Sequence, residues 1–358
     1  MSMGADRDCS AEISARVAAA SGERTALAIR AGGTRDFYGR AVDGEILDVA
    51  AHRGVVAWEP AELVLTARAG TPLAGIEALL GSGGQMLAFE PPRFGEASTL
   101  GGAIAAATSG PRRPYAGAAR DFVLGVRCVN GRGELLGFGG QVMKNVAGYD
   151  VSRLMCGAFG TLGVLLDISL KVLPVPPCEI TVEHACDAAQ AIVTMNRTAG
   201  TPLPLSASSH DGERLRLRLS GTESAVRAAA TTLGGEIVDD AAAYWKAVRD
   251  QTLAFFRAPG ALWRLSLPPA TPPLALGGEQ FIEWGGALRW LRTARDAAVV
   301  RAAVSATGGH ATLYRGGDAA NAEVFHPLAP GLAQLHRRLK QAFDPEGILN
   351  PGRMYPWL

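Results

Sequence analysis

The 358-residue sequence predicts an α+β protein of two domains, and three observations carry that prediction. Its first half alternates short strand-like and helix-like stretches with glycines at nearly every junction. A proline cluster, PVPP at 174–177, then interrupts the chain, because clustered prolines continue neither a helix nor a central strand. Beyond it a β-α-β-β-α-β order appears and is largely repeated, which predicts two related halves of one sheet with helices on one face. The boundaries read as 1–175, a smaller domain at 178–318, and a helix with an irregular tail at 326–358 that returns to the first domain.

Taken in order, ALAIR (26–30) is strand-like and stops at Ala31, Gly32, Gly33 and Thr34. LVLTARA (63–69) predicts a strand. Thr71 as N-cap and Pro72 as first helical residue open TPLAGIEALL, Gly81 to Gly84 end it, and QMLAFE (85–90) resumes a strand. STLGGAIAAATSG (98–110) packs small residues tightly. VLGVRCV and ELLGFGG flank Asn130 and Gly131 as a hairpin, and YDVSRLMCG leads through GTLG into the strand VLLDISLKVLP. In the second domain, EITVEH, a helix over about 187–198, the hairpin LSASSHDGERLRLRL, the helix SAVRAAATTLGG and the strand EIVDD form one half. WRLSLP, a Pro-rich link, QFIEW and LRWLRT about Gly285 and Gly286, the helix DAAVVRAAVSATGG and the strand HATLYRG form the other. PLAPGLAQLHRRLKQAF is the closing helix.

Composition excludes several function classes. Thirty-five Lys and Arg against 34 Asp and Glu leave a net charge of +1, so no bulk field recruits nucleic acid or an anionic membrane. The greasiest stretch, GVLLDISLKVLP, is cut by Asp167 and Lys171 and is too short to span a bilayer, so membrane contact is peripheral at most. MSMGADRDCSAEISARVAAA mixes acids and bases where a secretory signal carries an apolar core, and five scattered cysteines without CxxC spacing suit reduced thiols. Both point to the cytoplasm, and neither leaves iron–sulfur ligation to this chain.

The loop after the first strand is the first candidate site. Adjacent glycines with a hydroxyl residue can turn successive backbone N–H groups into a concave nest for anionic oxygens, phosphates above all, although such a pair more often only turns the chain. A dinucleotide fold would show GxGxxG opening a helix, and a P-loop would show GK[ST]; neither occurs in that context. The nearest string, GRGELLG from Gly131, falls in the predicted hairpin. Three further clusters, TLGG (99–102), SGPRR (109–113) and GAFGTLGV (157–164), place glycines where a flat ligand could lie against backbone.

In this order AGGTRDFYGR, MLAFEPPRFG, STLGGAIAAATSGPRR, VMKNVAGYDVSRLMCGAFGTLGV and SLKVLP resemble the PCMH-type (vanillyl-alcohol-oxidase-type) FAD-binding flavoproteins, and within them the FAD-binding subunits of bacterial three-subunit glycolate oxidases. The resemblance runs over about 22–175 and again over FDPEGILNPGRM. It implies a two-subdomain FAD-binding domain with a smaller α+β cap. Gly32, Gly33 and Thr34 would clasp the pyrophosphate. Thr99, Gly101, Gly102 and Gly110 would line the flavin and ribityl chain, and Gly157, Thr161, Gly163 and Val164 would meet the adenosine side. Pro91 and Asn350 would lie near the ring. Ala31 replaces the first glycine of the usual triple, which requires a negative φ there. No histidine or cysteine falls between 26 and 51, so FAD would be non-covalent.

The larger hydroxy-acid-oxidising relatives carry a histidine-rich metal cluster in the cap, whereas here His310 in GGHATLYRGG stands alone and no metal is implied. Oxidising a 2-hydroxy acid needs a cation for the carboxylate, a base for the hydroxyl proton and a hydride acceptor. Arg289, Arg292, Tyr314, Arg315 and His326 are available, and spacing singles out none as catalytic. The implied partners are a larger flavoprotein subunit, an iron–sulfur subunit and a small 2-hydroxy acid such as glycolate. A non-catalytic scaffold subunit and a stand-alone flavin oxidase are the alternatives.

Overall fold

The computed structural model describes residues 6–140, 150–316 and 323–358. VMKNVAGY (142–149), part of one block above, lies outside the described residues. The chain forms two compact units, one of Met1–Thr108, Ala118–Val175 and Pro327–Leu358 and one of Ser109–Gly117 and Pro176–His326.

The elements up to the proline cluster are α1 (Ser10–Glu23), β1 (Leu27–Arg30), β2 (Glu45–Asp48), β3 (Val55–Glu59), β4 (Val64–Arg68), α2 (Leu73–Ser82), β5 (Gln85–Met86) and α3 (Leu100–Ala105). Then come α4 (Arg113–Ala116), which belongs to the second unit, α5 (Ala119–Phe122), β6 (Val123–Val129), β7 (Leu135–Gly139), α6 (Val151–Met155), β8 (Val164–Lys171) and β9 (Leu173–Pro174). In the first unit β1 and β2 pair in parallel, and β3-β4-β8-β6-β7 make an antiparallel sheet. Helix α1 buries Ile13, Val17 and Ala20, one stripe at helical spacing, in a core with Leu27, Leu47, Val129, Val164, Leu166, Ile348 and Leu349. That core ties the start of the chain, the first strand and the C-terminal tail together.

Two local expectations fail here. Thr71 caps no helix: it is wholly buried, and its hydroxyl accepts from the Gly54 N–H (2.9 Å) and donates to the Gly54 carbonyl (3.1 Å), leaving Pro72 as N-cap. QMLAFE is a strand only at β5, because Leu87, Ala88 and Phe89 turn into the core and Glu90 takes a φ of +48°.

In the second unit follow β10 (Cys178–Ala185), α7 (Ala188–Ala199), β11 (Leu205–His210), β12 (Arg214–Gly221), α8 (Glu223–Leu233), β13 (Glu236–Ile237), α9 (Ala241–Arg249), α10 (Ala254–Arg257), β14 (Leu262–Ser266), β15 (Glu279–Glu283), β16 (Leu288–Arg292), α11 (Ala297–Ser305) and β17 (His310–Arg315). Back in the first unit, α12 (Pro330–Phe343) precedes the tail. The strands of the second unit form one eight-stranded sheet, β13-β10-β12-β11-β15-β16-β14-β17, antiparallel throughout. Numbered within each half, both halves have the spatial order 4-1-3-2 and meet through their second strands, β11 and β15. The predicted pair of halves is therefore present, with a Pro-rich link replacing the first helix of the second half.

Helices cover both faces of this sheet, not one. On one face α7 and α8 bury Ile192, Met195, Val226 and Ala229 against Leu215, Leu217 and Leu219, while α11 buries Val300 and Val304 against Trp263, Leu265 and Leu291. On the other lie α9 and α10, which the sequence reading passed over: the Trp245 indole donates to Thr181 (2.8 Å), and Phe256 packs on Phe281 and Trp290. Segment 109–117, read with the first domain, clusters here because Arg112 pairs with Glu179 and Tyr115 packs against the α7/α8 core.

Candidate functional site

The first unit encloses a cavity of about 500 Å³, within the range of small-molecule and cofactor pockets. Its floor is the end of β1 and the loop from Ala31 to Asp36. Gly33 has a φ of +66°, so the chain reverses there without the cost of a Cβ. Gly32 is required for a different reason: a Cβ would stand 1.7 Å from the Ala97 carbonyl oxygen. Ala31 is not among the positive-φ residues, the condition its substitution for glycine needs. Among the described residues, the amides of Gly32, Gly33 and Thr34 donate to no acceptor. Three consecutive N–H groups without partners beside a cavity form a nest for anionic oxygens. The Thr34 hydroxyl bonds Ser98 at 3.0 Å, and Arg30 pairs with Asp36 at 2.6 Å, which fixes both ends of the loop.

A second wall is the start of α3. The Thr99 hydroxyl caps it by accepting from the Gly102 N–H at 3.2 Å. Gly101 packs so closely that a Cβ would meet Ala69 at 2.7 Å. The third wall is Phe159, Gly160, Gly163 and Val164, clamped from the C-terminal tail by Asn350. Asn350, at a φ of +43° that asparagine tolerates better than most residues, accepts from the Ile29 N–H (2.7 Å) and donates to the Phe159 carbonyl (2.7 Å). Arg353 closes the rim by donating to the carbonyls of Arg40, Arg35 and Tyr38, and burial lowers its guanidinium from its ordinary value. Exposed apolar surface at Ile46 completes the mouth.

Of the residues named from the sequence, Gly32, Gly33, Thr34, Thr99, Gly101, Gly102, Gly163, Val164 and Asn350 lie in this wall. Pro91, Gly110, Gly157 and Thr161 do not. Thr161 is buried and its hydroxyl donates to the Ala158 carbonyl (2.7 Å); Gly157 donates its amide to Ile104; Gly110 belongs to the second unit, where its carbonyl accepts from the Trp284 indole (3.0 Å). Arg30, Ile46, Gly160 and Arg353 were missed. Arg353 follows Asn350 within the same tail block and could have been found there, whereas β2, which carries Ile46, showed no pattern strong enough to mark it.

The cations proposed for substrate in the second domain are mostly committed elsewhere. Arg289 is fully buried and braces the carbonyls of Gly286, Thr271 and Pro272; Arg292 donates to those of Phe255, Phe256, Pro259 and Gly260; Arg315 donates to Gln251 and Phe256; Tyr314 is buried against Trp290. His310 is not isolated in space, since the His326 ring lies 6.4 Å away. Among the described residues no three His, Cys, Asp or Glu side chains gather as they do around a metal. No helix among them is long and apolar enough to cross a membrane.

Comparison with known proteins agrees with the geometry. Residues 8–139 match the FAD binding domain family and residues 317–354 the C-terminal domain of FAD linked oxidases. The chain is 50% identical over 334 residues to the glycolate oxidase subunit GlcE of Escherichia coli, covering 93% of each. It is 37% identical over 99 residues to the glycolate oxidase subunit GlcD of Bacillus subtilis, covering 26% of this chain and 21% of that one. In fold it is similar to p-cresol methylhydroxylase with substrate bound (TM-score 0.72, 15% identity, 98% of this chain and 88% of that one), which makes the fold PCMH-type. A nest of open amides in a glycine-walled cavity, on a PCMH-type fold matching an FAD binding domain, identifies the cofactor as FAD. The chain belongs to the family of the glycolate oxidase subunit GlcE, an FAD-dependent oxidoreductase family.

Proposed function

We propose that this chain is the FAD-carrying subunit of a complex that oxidises glycolate, or a similar small 2-hydroxy acid, to the 2-oxo acid. The observation that carries the reading is the acceptor-free nest at Gly32, Gly33 and Thr34 in a chain half identical, over nearly its whole length, to a glycolate oxidase subunit. When bound, FAD supplies a two-electron acceptor for the hydride lost from the substrate carbon. The chain's own residues do the rest. The nest holds the pyrophosphate through directional hydrogen bonds without a net basic protein. The bare backbone at Gly101 and Gly102 lets a flat ring lie close, and Asn350 locks the tail against the third wall. Among the described residues the wall carries neither histidine nor cysteine, which supports non-covalent attachment. Electrons leave toward an iron–sulfur partner subunit, with a larger flavoprotein subunit beside it.

A second reading, a scaffold that keeps FAD but turns over no substrate, is favoured by one observation: Arg289, Arg292 and Arg315 spend their donors on the protein itself. The visible spectrum of the purified chain decides between them, recorded before and after anaerobic glycolate, alone and with the larger flavoprotein. Flavin bands that bleach in the isolated chain make it catalytic, and bands that never respond with every partner present make it a scaffold. A protein that takes up no flavin ends both readings.

A further inference from the structure

The sheet of the second unit carries a row of arginines on the face covered by α9 and α10. Strand alternation puts Arg216, Arg218, Arg264 and Arg292 on that face together. Three have acceptors. Arg216 pairs with Glu183 and Asp211, Arg218 bonds Ser206, and Arg292 donates to four backbone carbonyls. Arg264, half-buried, has no hydrogen bond or ion pair among the described residues; it stands over the Trp284 ring, 5.3 Å from its centroid. Arg113 approaches the same ring at 4.4 Å.

The platform beneath Arg264 is built at a cost. Trp284 holds a φ of +54°, a region that bulky L residues avoid. Its indole N–H donates to the Gly110 carbonyl (3.0 Å), and the next amide, Gly285, donates to the buried Ser208 hydroxyl (2.9 Å). Opposite Arg264 on β17 is Thr312, and Ser266, two residues on, is opposite His310. Ser266 and Thr312 share the face with Arg264, and His310 is exposed beside them. A guanidinium spread on an aromatic ring keeps its N–H edge for an anion, and the planar fork suits a carboxylate through two parallel hydrogen bonds. Partial desolvation, with Arg264 and His326 nearby, holds the His310 imidazole below its ordinary value although one side of the ring meets solvent, which favours the neutral, hydrogen-bond-accepting ring.

We propose that Arg264, fixed over Trp284 with Thr312 and His310 beside it, is a carboxylate-binding site for a short 2-hydroxy or 2-oxo acid. Arg264 takes the carboxylate, and the Thr312 hydroxyl and His310 ring reach the oxygen on the neighbouring carbon. The choice of acid rests on the proposed function; the anion site itself rests on the arginine.

The test titrates oxalate, a dicarboxylate with no C–H bond to give up a hydride, into the full FAD-loaded chain by calorimetry, with Arg264→Gln, Arg264→Lys and Thr312→Val alongside. The expected result is measurable binding in the unsubstituted protein, a loss of roughly tenfold to a hundredfold in Arg264→Gln, and partial recovery in Arg264→Lys. Equal affinity in Arg264→Gln, or no oxalate binding to the unsubstituted protein, overturns the site. If Arg264→Gln does not fold, Arg264→Lys and Thr312→Val decide alone, and unchanged affinity in both overturns it. Glycolate-dependent bleaching of the assembled complex separates the two claims. Bleaching with an unchanged KM in the arginine variants removes this site and leaves the function standing, whereas oxalate binding without bleaching in the unsubstituted complex supports the site and removes the function.

Discussion

At Gly32 the cofactor loop is decided by a single missing atom. With its ideal Cβ 1.7 Å from the Ala97 carbonyl oxygen, alanine forces the loop away from segment 94–98 and breaks the alignment of the three open amides. Overpacking of this kind costs about 1–3 kcal/mol. Gly32→Ala is therefore expected to lower the denaturation midpoint modestly and FAD occupancy sharply; full flavin stoichiometry in that variant takes the loop out of the site. A second residue reports on acid stability. Burial alone would raise the Asp167 carboxyl, but the wholly buried His52, whose Nε2 stands 3.4 Å from it, and the Arg127 guanidinium together outweigh that effect, so its pKa in the folded protein lies below the ordinary carboxylate value. A depressed folded pKa gives stability that is present above the unfolded value and lost as pH falls through the folded one. Urea midpoints measured from pH 6 downward should fall off below about pH 4, the ordinary aspartate range, and Asp167→Asn should flatten that decline. An equally steep decline in the variant assigns the acid sensitivity elsewhere.

Helix α12 shows how an element far along the sequence serves the site. Lys340, its one buried residue, donates to the carbonyls of Thr161 (2.9 Å) and Leu349 (2.7 Å) and pairs with Asp344 (2.8 Å), which in turn accepts from the amides of Ile348 and Leu349. The helix thereby pins the tail that bears Asn350 to the loop that bears Gly160 and Gly163. Removing one partner of a buried pair costs about 3–5 kcal/mol. Lys340→Met should lose that much in chemical denaturation and release flavin more readily, and a loss under about 1 kcal/mol, the scale of an exposed ion pair, makes the pair incidental. The sequence showed the helix by its period and the tail by its resemblance, but it could not show a lysine pointing inward, because nothing local distinguishes Lys340 from the exposed Arg337 and Arg338. The same limit explains the other misses. Strands β1, β4, β6, β7 and β8 were legible from apolar runs and turn residues. Strand β2 was not, having one buried residue in four, and α9 and α10 were not, because their aromatic residues pack on a sheet face that had been read as bare. Thr71 looked like a cap because threonine before proline usually is one, and only the burial of Gly54 above it reveals its other use. In the cavity wall, glycines were legible as glycines, whereas Arg353 and Ile46 depend on which backbone comes to meet them.

For the whole molecule, two units mean separately built interiors: a core of α1, β1, β8 and the tail in the first, and one core in each sheet half of the second. The cavity wall lies entirely in the first unit, so FAD is linked first to the folding of that unit. At one hundred times its dissociation constant, a ligand that binds only the folded form adds about 2.7 kcal/mol, or roughly 5–10 °C for a unit of this size. The probes are already in the sequence. Trp245, Trp263, Trp284 and Trp290 are in the second unit and only Trp58 and Trp357 in the first, so tryptophan emission follows mainly the second unit while released flavin fluorescence follows the first. On heating at rising FAD concentration, the flavin-release midpoint should climb by several degrees while the tryptophan midpoint lags behind. Midpoints that climb together mean that the two units unfold as one cooperative block. A flavin-release midpoint indifferent to FAD concentration is the more damaging result, because a ligand seated in the nest must, by mass action, stabilise the unit that forms it.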